Sequence, residues 1–280
     1  MIIIQIDGGL GNQMFQYALG IMFEKRGVQV KYDISKFEQQ QVHNGYELER
    51  VFNIRAKYCS KAEREIVKRI SKLRHFFTNS PYKEKEEWQW RYWEEVSQLK
   101  FGFLKGYWQT ADYFSGAEKE VKQKFQFQPL QGSQNKAVMQ KIMESNSVSL
   151  HIRRGDYLDN DINCSLGLPY YNEAIKFINT NISNPSYFVF SDDIEWAKEN
   201  IKQEQMEFIG WNKGGNSYID MQLMSSCKHN IIANSSFSWW AAWLNSNPDK
   251  KIAAPQQWMR HLQKKAGIIP KGWIQFPNNF

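Results

Sequence analysis

At 280 residues, with 42% apolar and 23% charged content, the chain has room for one large or two ordinary globular domains, which excludes a disordered or fibrous protein. A formal charge of +7 favours acidic ligands, nucleic acid or an anionic membrane surface. Cys59, Cys164 and Cys227 are odd in number and far apart, so neither a zinc site nor a disulfide framework is implied, and no apolar run reaches the length of a membrane span.

The first residues, MIIIQIDGG, read as a strand and not as a signal peptide. With unpartnered thiols, this points to a cytoplasmic protein. Strand Ile2–Ile6 leads through a Gly-rich turn into helix Asn12–Lys25 and strand Val28–Tyr32. The turn, Asp7 to Met14, invites a dinucleotide-binding reading, with Asp33 as the ribose acid. The third glycine of GxGxxG falls on Met14, however, and is missing. What is left is a turn that offers backbone N–H groups, Asn12 and Gln13 to a phosphate or a sugar hydroxyl.

Lys61–Phe76 is a basic amphipathic helix with Ile66, Val67, Ile70 and Leu73 on one side. It suits a solvated surface or peripheral contact with an anionic inner membrane. Tyr82–Leu99 is rich in charge and Trp, and Phe101–Trp108 reads as a strand. The Pro, Gly and Ser of 126–135 mark a linker, which divides the chain into 1–130 and 131–280.

The second half alternates strands Val148–Ile152, Tyr187–Ser191, Met206–Ile209, Asn230–Ala233 and Lys251–Ala254 with helices Pro169–Ile182, Ile194–Ile201, Tyr218–Cys227 and Phe237–Leu244. Asp192 or Asp193 can cap the second of these helices. Such alternation implies parallel sheets and an α/β fold of two Rossmann-like domains facing across a cleft. The C-terminal tail is expected to pack back on the first domain.

Strand Val148–Ile152 ends in His151, Arg153, Arg154, Gly155 and Asp156. Adjacent guanidiniums at a strand's carboxyl end suit a phosphate, which the arginine fork grips through two oxygens. A second anion seat lies at Asn234-Ser235-Ser236-Phe237, where either serine can cap an aromatic helix. In a parallel sheet both turns open on the same crevice and can converge on one pyrophosphate. Asp220, in the first turn of its helix, complements the dipole or reads a guanine edge. Asp159-Asn160-Asp161 and Asp192-Asp193 have spacing that can hold a divalent metal. The arginines already supply positive charge, which favours metal independence.

These motifs resemble those of the bacterial α-1,2-fucosyltransferases: IDGGLGNQMFQYALG at 6–20, GYWQTADYF at 106–114, HIRRGDY at 151–157, FSDD at 190–193, and the 220–244 run containing NSSFSWW. Residues 51–99 carry no motif of this kind. The resemblance implies a GT-B fold with an acceptor domain followed by a donor domain. It further implies inverting, metal-free transfer of L-fucose from GDP-β-L-fucose to the 2-hydroxyl of a terminal β-galactose, without a cofactor and without nucleic acid as partner. By the same resemblance Arg153 grips the β-phosphate with Arg154 in support, and His151 and Asp220 contact guanosine. Ser235, Ser236 and Phe237, with Asn234, form the pyrophosphate turn. Gly11 and Asn12 lie at the donor, and Asn12 and Gln13 at the acceptor. Asp156 is the first candidate for the base, with Asp161 and Asp7 as alternatives. A fucosyltransferase of different linkage, an NAD-dependent oxidoreductase and a non-catalytic glycan-binding protein are the competing readings, and the acceptor glycan stays open.

Overall fold

The computed structural model describes residues 1–39, 43–82, 91–155, 165–259 and 267–278. The chain divides into two compact units, Met1–Gln128 and Pro129–Phe280. Each is built on an all-parallel sheet, so the α/β class expected from the alternating pattern is the class observed.

In the first unit, β1 (Ile2–Gln5) lies between β2 (Val30–Asp33) and β3 (Gly102–Leu104). All four β1 residues are buried, as a central parallel strand requires. Helix Leu10–Lys25 starts earlier than expected because extended Gly9 serves as its N-cap. The strand expected over 101–108 is only three residues long, and the chain then leaves the sheet through Trp108, whose φ is +56°. Helix Lys61–Thr78 opens with a capping box between Ser60 and Glu63. Its Ser71 Oγ accepts the Phe103 N–H at 2.7 Å and so ties the helix to β3.

The second unit contains β4 (Asn146–Ile152), β5 (Pro185–Ser191), β6 (Met206–Ile209), β7 (His229–Ile231), β8 (Ile252–Pro255) and β9 (Ile274–Phe276). Their spatial order is β6-β5-β4-β7-β8-β9. Counted from the first strand of the unit this is 3-2-1-4-5-6, the doubly wound order whose ligands bind where the winding reverses, between strands 1 and 4. Here those strands are β4 and β7. The pattern did not reveal β9: the tail expected to pack on the first unit supplies, in Ile274–Phe276, the edge strand beside β8. The expected linker also contains structure, because helix Ser133–Glu144 begins inside it and buries Val138 and Ile142 one turn apart.

The two faces of β4 differ. Val148, Leu150 and Ile152 pack under Tyr170, Tyr171, Ala174, Ile175 and Ile178 of helix Leu168–Asn181. The alternate residues Ser147, Ser149 and His151 are buried and polar. Beside them the Asn230 amide of β7 donates to Ser149 Oγ (2.7 Å) and to the Met224 carbonyl of helix Tyr218–Ser226 (2.9 Å). Asn230 Oδ1 accepts from Asn245 Nδ2 (2.8 Å), the residue that ends helix Ser236–Leu244. A buried polar group holds its place only when satisfied, and Asn230 is. The aromatic surplus goes largely to cores: Trp93, Trp108, Trp239, Trp240 and Trp258 are all buried.

Asn230→Ala leaves three polar neighbours without this partner and is expected to cost about 3 kcal/mol of stability. Urea denaturation measures this, and a midpoint equal to that of the native chain would show that the network contributes nothing.

Candidate active site

The pairing of β4 with β5 sets Ile152 opposite Ser191. The next residues of each strand therefore leave the sheet side by side, arginines from one and aspartates from the other. Asp192 Oδ1 accepts the Arg154 N–H at 2.9 Å, and Oδ2 accepts the Gly155 N–H at 3.1 Å. The same Oδ2 lies 3.1 Å from Arg153 Nη1. Asp193 Oδ2 accepts from Arg154 Nε at 3.1 Å, while its Oδ1 caps helix Ile194–Asn200 through the Trp196 N–H at 3.2 Å. The Arg154 guanidinium lies 4.0 Å from the centre of the Trp196 ring, a cation–π contact.

The arginines thus have different tasks. Arg154, with 18% of its side chain exposed, is a strut held between Asp193 and Trp196, and Arg153, at 32%, is the more exposed of the two. The Asp192-Asp193 pair, whose spacing suits a metal, has its oxygens engaged by guanidiniums and backbone donors. Tyr171 lies buried nearby, its phenol held protonated by burial and by the charge of Asp192. Asp156, together with Asp159, Asp161 and Cys164, lies outside the described residues.

His151 is buried one residue before Ile152, and its Nδ1 has no hydrogen-bond partner among the described residues. Its ring centroid is 5.9 Å from that of Phe237. Burial, reinforced by the positive charge of Arg153, lowers its pKa to about 3, so the imidazole is neutral at physiological pH. Ser235, and not Ser236, is the N-cap of the aromatic helix, accepting the Phe237 N–H at 3.3 Å. Asn234 is buried and donates to the Trp258 carbonyl at 3.0 Å. The arginine turn, His151 and Phe237 thus gather at the carboxyl ends of β4 and β7.

Asp220 belongs to a second polar cluster. Its Oδ1 accepts from Asn212 Nδ2 at 2.7 Å, and Asn212 and Trp211 Nε1 both bond to Asn135. Burial raises its pKa to about 7, against the opposing effect of the Asn212 hydrogen bond.

In the first unit Gly8 is at φ +79°, and a Cβ there would meet Asn12 Nδ2 at 2.7 Å and the Tyr107 ring at 3.3 Å. Asn12 is partly exposed and accepts from Gln109 Nε2 at 2.5 Å. Gly11 is buried, in the first turn of its helix. Gln13 departs from expectation. It is fully buried, donating to the Gly8 and Gly45 carbonyls at 2.9 and 2.8 Å and accepting the Glu47 N–H at 2.9 Å, so it braces the turn and has nothing to offer an acceptor. Asp7 is paired with Lys36. Asp33 is buried against Arg64 at 3.3 Å, and Met14 fills the place of the third glycine with no exposed surface, which removes the dinucleotide reading of this turn.

The residue pattern of glycosyl transferase family 11 matches this chain over residues 1–276, which includes both Gly-rich and arginine turns. The chain belongs to that family. This family 11 member is therefore a glycosyltransferase. It is 32% identical to an alpha-1,2-colitosyltransferase of Escherichia coli, with 98% of each chain covered. It is 33% identical to the E. coli O-antigen biosynthesis glycosyltransferase WbnK, over 96% of this chain and 98% of that one. The human galactoside alpha-(1,2)-fucosyltransferase 1 is 23% identical over 70% of this chain and 59% of its own length.

Sequence reasoning missed Trp196, Tyr171, Asn212, Asn135 and Gln109. A signal existed for two of them: Gln109 sits within GYWQTADYF, and Trp196 follows FSDD by one helical turn.

A Cβ at Gly155 would lie 2.9 Å from Asp192 Oδ2. Gly155→Ala is therefore expected to displace the clamp and lower transferase turnover about tenfold or more, with a melting temperature close to native. Unchanged turnover would remove the clamp's importance. Between pH 6.5 and about 3 the unfolded chain binds a proton at His151 that the folded chain refuses, so acidification destabilises. For Asp220 the folded chain holds the extra proton between pH 3.8 and about 7, so stability falls as pH rises, by less because the group is partly open to water. The two trends oppose each other. Asp220→Asn should make stability rise more steeply with pH across that range in urea titrations, and an unaltered slope would refute this.

Proposed function

We propose that this family 11 glycosyltransferase moves L-fucose from GDP-β-L-fucose to the 2-hydroxyl of a terminal β-galactose, with inversion and without a metal, using its two units as the halves of a GT-B enzyme. The observation that carries the reading is the arginine turn: Arg153 is fixed by Asp192 yet partly exposed, at the strand end where a doubly wound sheet binds its ligand.

Departure of GDP leaves an oxocarbenium-like sugar and builds negative charge on the β-phosphate. A guanidinium already held in place stabilises that growing charge more than it stabilises the bound donor, which is the condition for lowering the barrier. The first-turn N–H groups of helix Ser236–Leu244 add a second, uncharged seat for the diphosphate. His151 contacts guanosine as a neutral imidazole, without adding charge, and Asp220 takes the guanine edge. Asn12 serves the sugar and acceptor. The proton of the acceptor hydroxyl goes to Asp156, with Asp161 as the alternative. Asp7 is disfavoured because Lys36 already binds its carboxylate. A galactose-terminated glycan is the partner, and no nucleic acid is needed. Among the described residues no helix is long and apolar enough to cross a membrane.

A second donor reading has specific support in the similarity to an alpha-1,2-colitosyltransferase. Incubation with GDP-fucose or the corresponding colitose donor and a panel of galactose-terminated acceptors, with product linkage read by NMR, separates the two.

Arg153→Ala is expected to lower kcat by two to three decades, or about 3–4 kcal/mol of barrier, in a protein that melts as the native chain does. EDTA should leave native turnover unchanged. Near-normal transfer by Arg153→Ala would overturn the mechanism.

A further inference from the structure

Helix Lys61–Thr78 is fastened to its unit along a narrow strip, with Val67 and Ser71 as its buried residues. Its other apolar residues face outward: Ile66 is 59% exposed, Ile70 39%, Leu73 59%, Phe76 81% and Phe77 76%. Ile66, Ile70, Leu73 and Phe77 recur at i, i+4, i+7 and i+11 and form one ridge along the helix, which the eighteen residues extend for about 27 Å. The helix carries six basic residues against two acidic ones. Both acids are engaged, Glu63 by Lys31 at 2.5 Å and Glu65 by Arg64 at 3.3 Å. Lys61, Arg69 and Lys72 are exposed, and Arg69 and Lys72 flank Phe76 on one side of the ridge.

We propose that this helix docks the protein on an anionic lipid surface, its ridge at the headgroup–acyl boundary and Arg69 and Lys72 among the headgroups. Separate observations favour this occupant. Apolar exposure combined with an excess of basic charge is the composition of a helix lying in a membrane interface. A second copy of the chain would bring the same positive face against itself, at a cost in repulsion. Phe76 and Phe77, with ring centroids 5.1 Å apart and planes at 88°, occupy successive positions about 100° apart around the helix. A protein groove shaped to the ridge leaves Phe76 outside it, whereas a fluid interface accepts both rings. The inference stands apart from the donor and acceptor chemistry. It would give the enzyme access to acceptors presented at a membrane.

The test is co-sedimentation of the full chain with vesicles of equimolar phosphatidylglycerol and phosphatidylcholine, and with phosphatidylcholine alone. The native chain should bind the anionic vesicles, bind phosphatidylcholine weakly, and be released by molar salt. The double variants Arg69→Glu/Lys72→Glu and Phe76→Ser/Phe77→Ser should each weaken binding by about tenfold or more. Both should melt normally and retain transferase activity toward a water-soluble acceptor, which separates docking from folding and catalysis. Absence of binding to anionic vesicles, equal binding to neutral ones, or native-like binding by either variant would overturn the proposal. So would self-association that Phe76→Ser/Phe77→Ser abolishes, since the ridge would then belong to a second copy.

Discussion

The candidate active site hangs on one carboxylate. Asp192 accepts the Arg154 and Gly155 N–H groups and pairs with the Arg153 guanidinium, so it fixes the backbone of the turn and the side chain that projects from it. Two guanidiniums on successive residues repel each other, and the arrangement is stable because each has its own acid: Asp192 for Arg153 and Asp193 for Arg154. That matching needs no special loop. It follows from the β4–β5 register, which brings Ile152 level with Ser191 and so delivers RR and DD to the same height. A register shifted by one residue would set the pairs out of step and turn the faces of β4 over. Charge placed this rigidly needs little reorganisation when an anion arrives, which is where electrostatic catalysis gains most.

The same strand links the site to the core. On one face of β4 the apolar residues lie under helix Leu168–Asn181, and on the other Ser149 meets Asn230 of β7. The polar face ends at His151. Its desolvation is thus a consequence of its position on a central strand, and the neutral imidazole follows from that burial together with the neighbouring Arg153. The more exposed cation at the end of β4 is consequently Arg153, paired with Asp192, with Arg154 held by Asp193 and His151 uncharged beside it.

Much of this was legible in the sequence. Apolar runs of strand length alternating with helical stretches gave the parallel sheets, because each element buries a face whose period is written locally. The arginine turn and the serine cap were readable because their chemistry is unusual at a strand end. What escaped depended on distant partners. Asp192 and Asp193 have the spacing of a metal pair, and only the strand register shows that they serve the arginines. Asn135 falls in a segment rich in linker residues, yet it is ordered by Trp211 and Asn212, more than seventy positions away. The three residues of β9 carry no periodicity and become a strand through pairing with β8.

The two Gly- and Arg-bearing turns show why glycine content alone misleads. Both follow the first strand of their unit and both leave the sheet where a ligand could bind. In the first unit the turn is filled from within: Gln13 occupies the Gly8 and Gly45 carbonyls, Met14 closes the helix against the core, and Asp7 and Asp33 are bound by Lys36 and Arg64. Asn12, partly exposed and steadied by Gln109, is the polar side chain from the expected pair that can still face a sugar. In the second unit the arginine turn is instead braced by Asp192 and Asp193, while the Arg153 side chain stays 32% exposed. Of the two turns, the one with more glycines is the more completely occupied by its own fold.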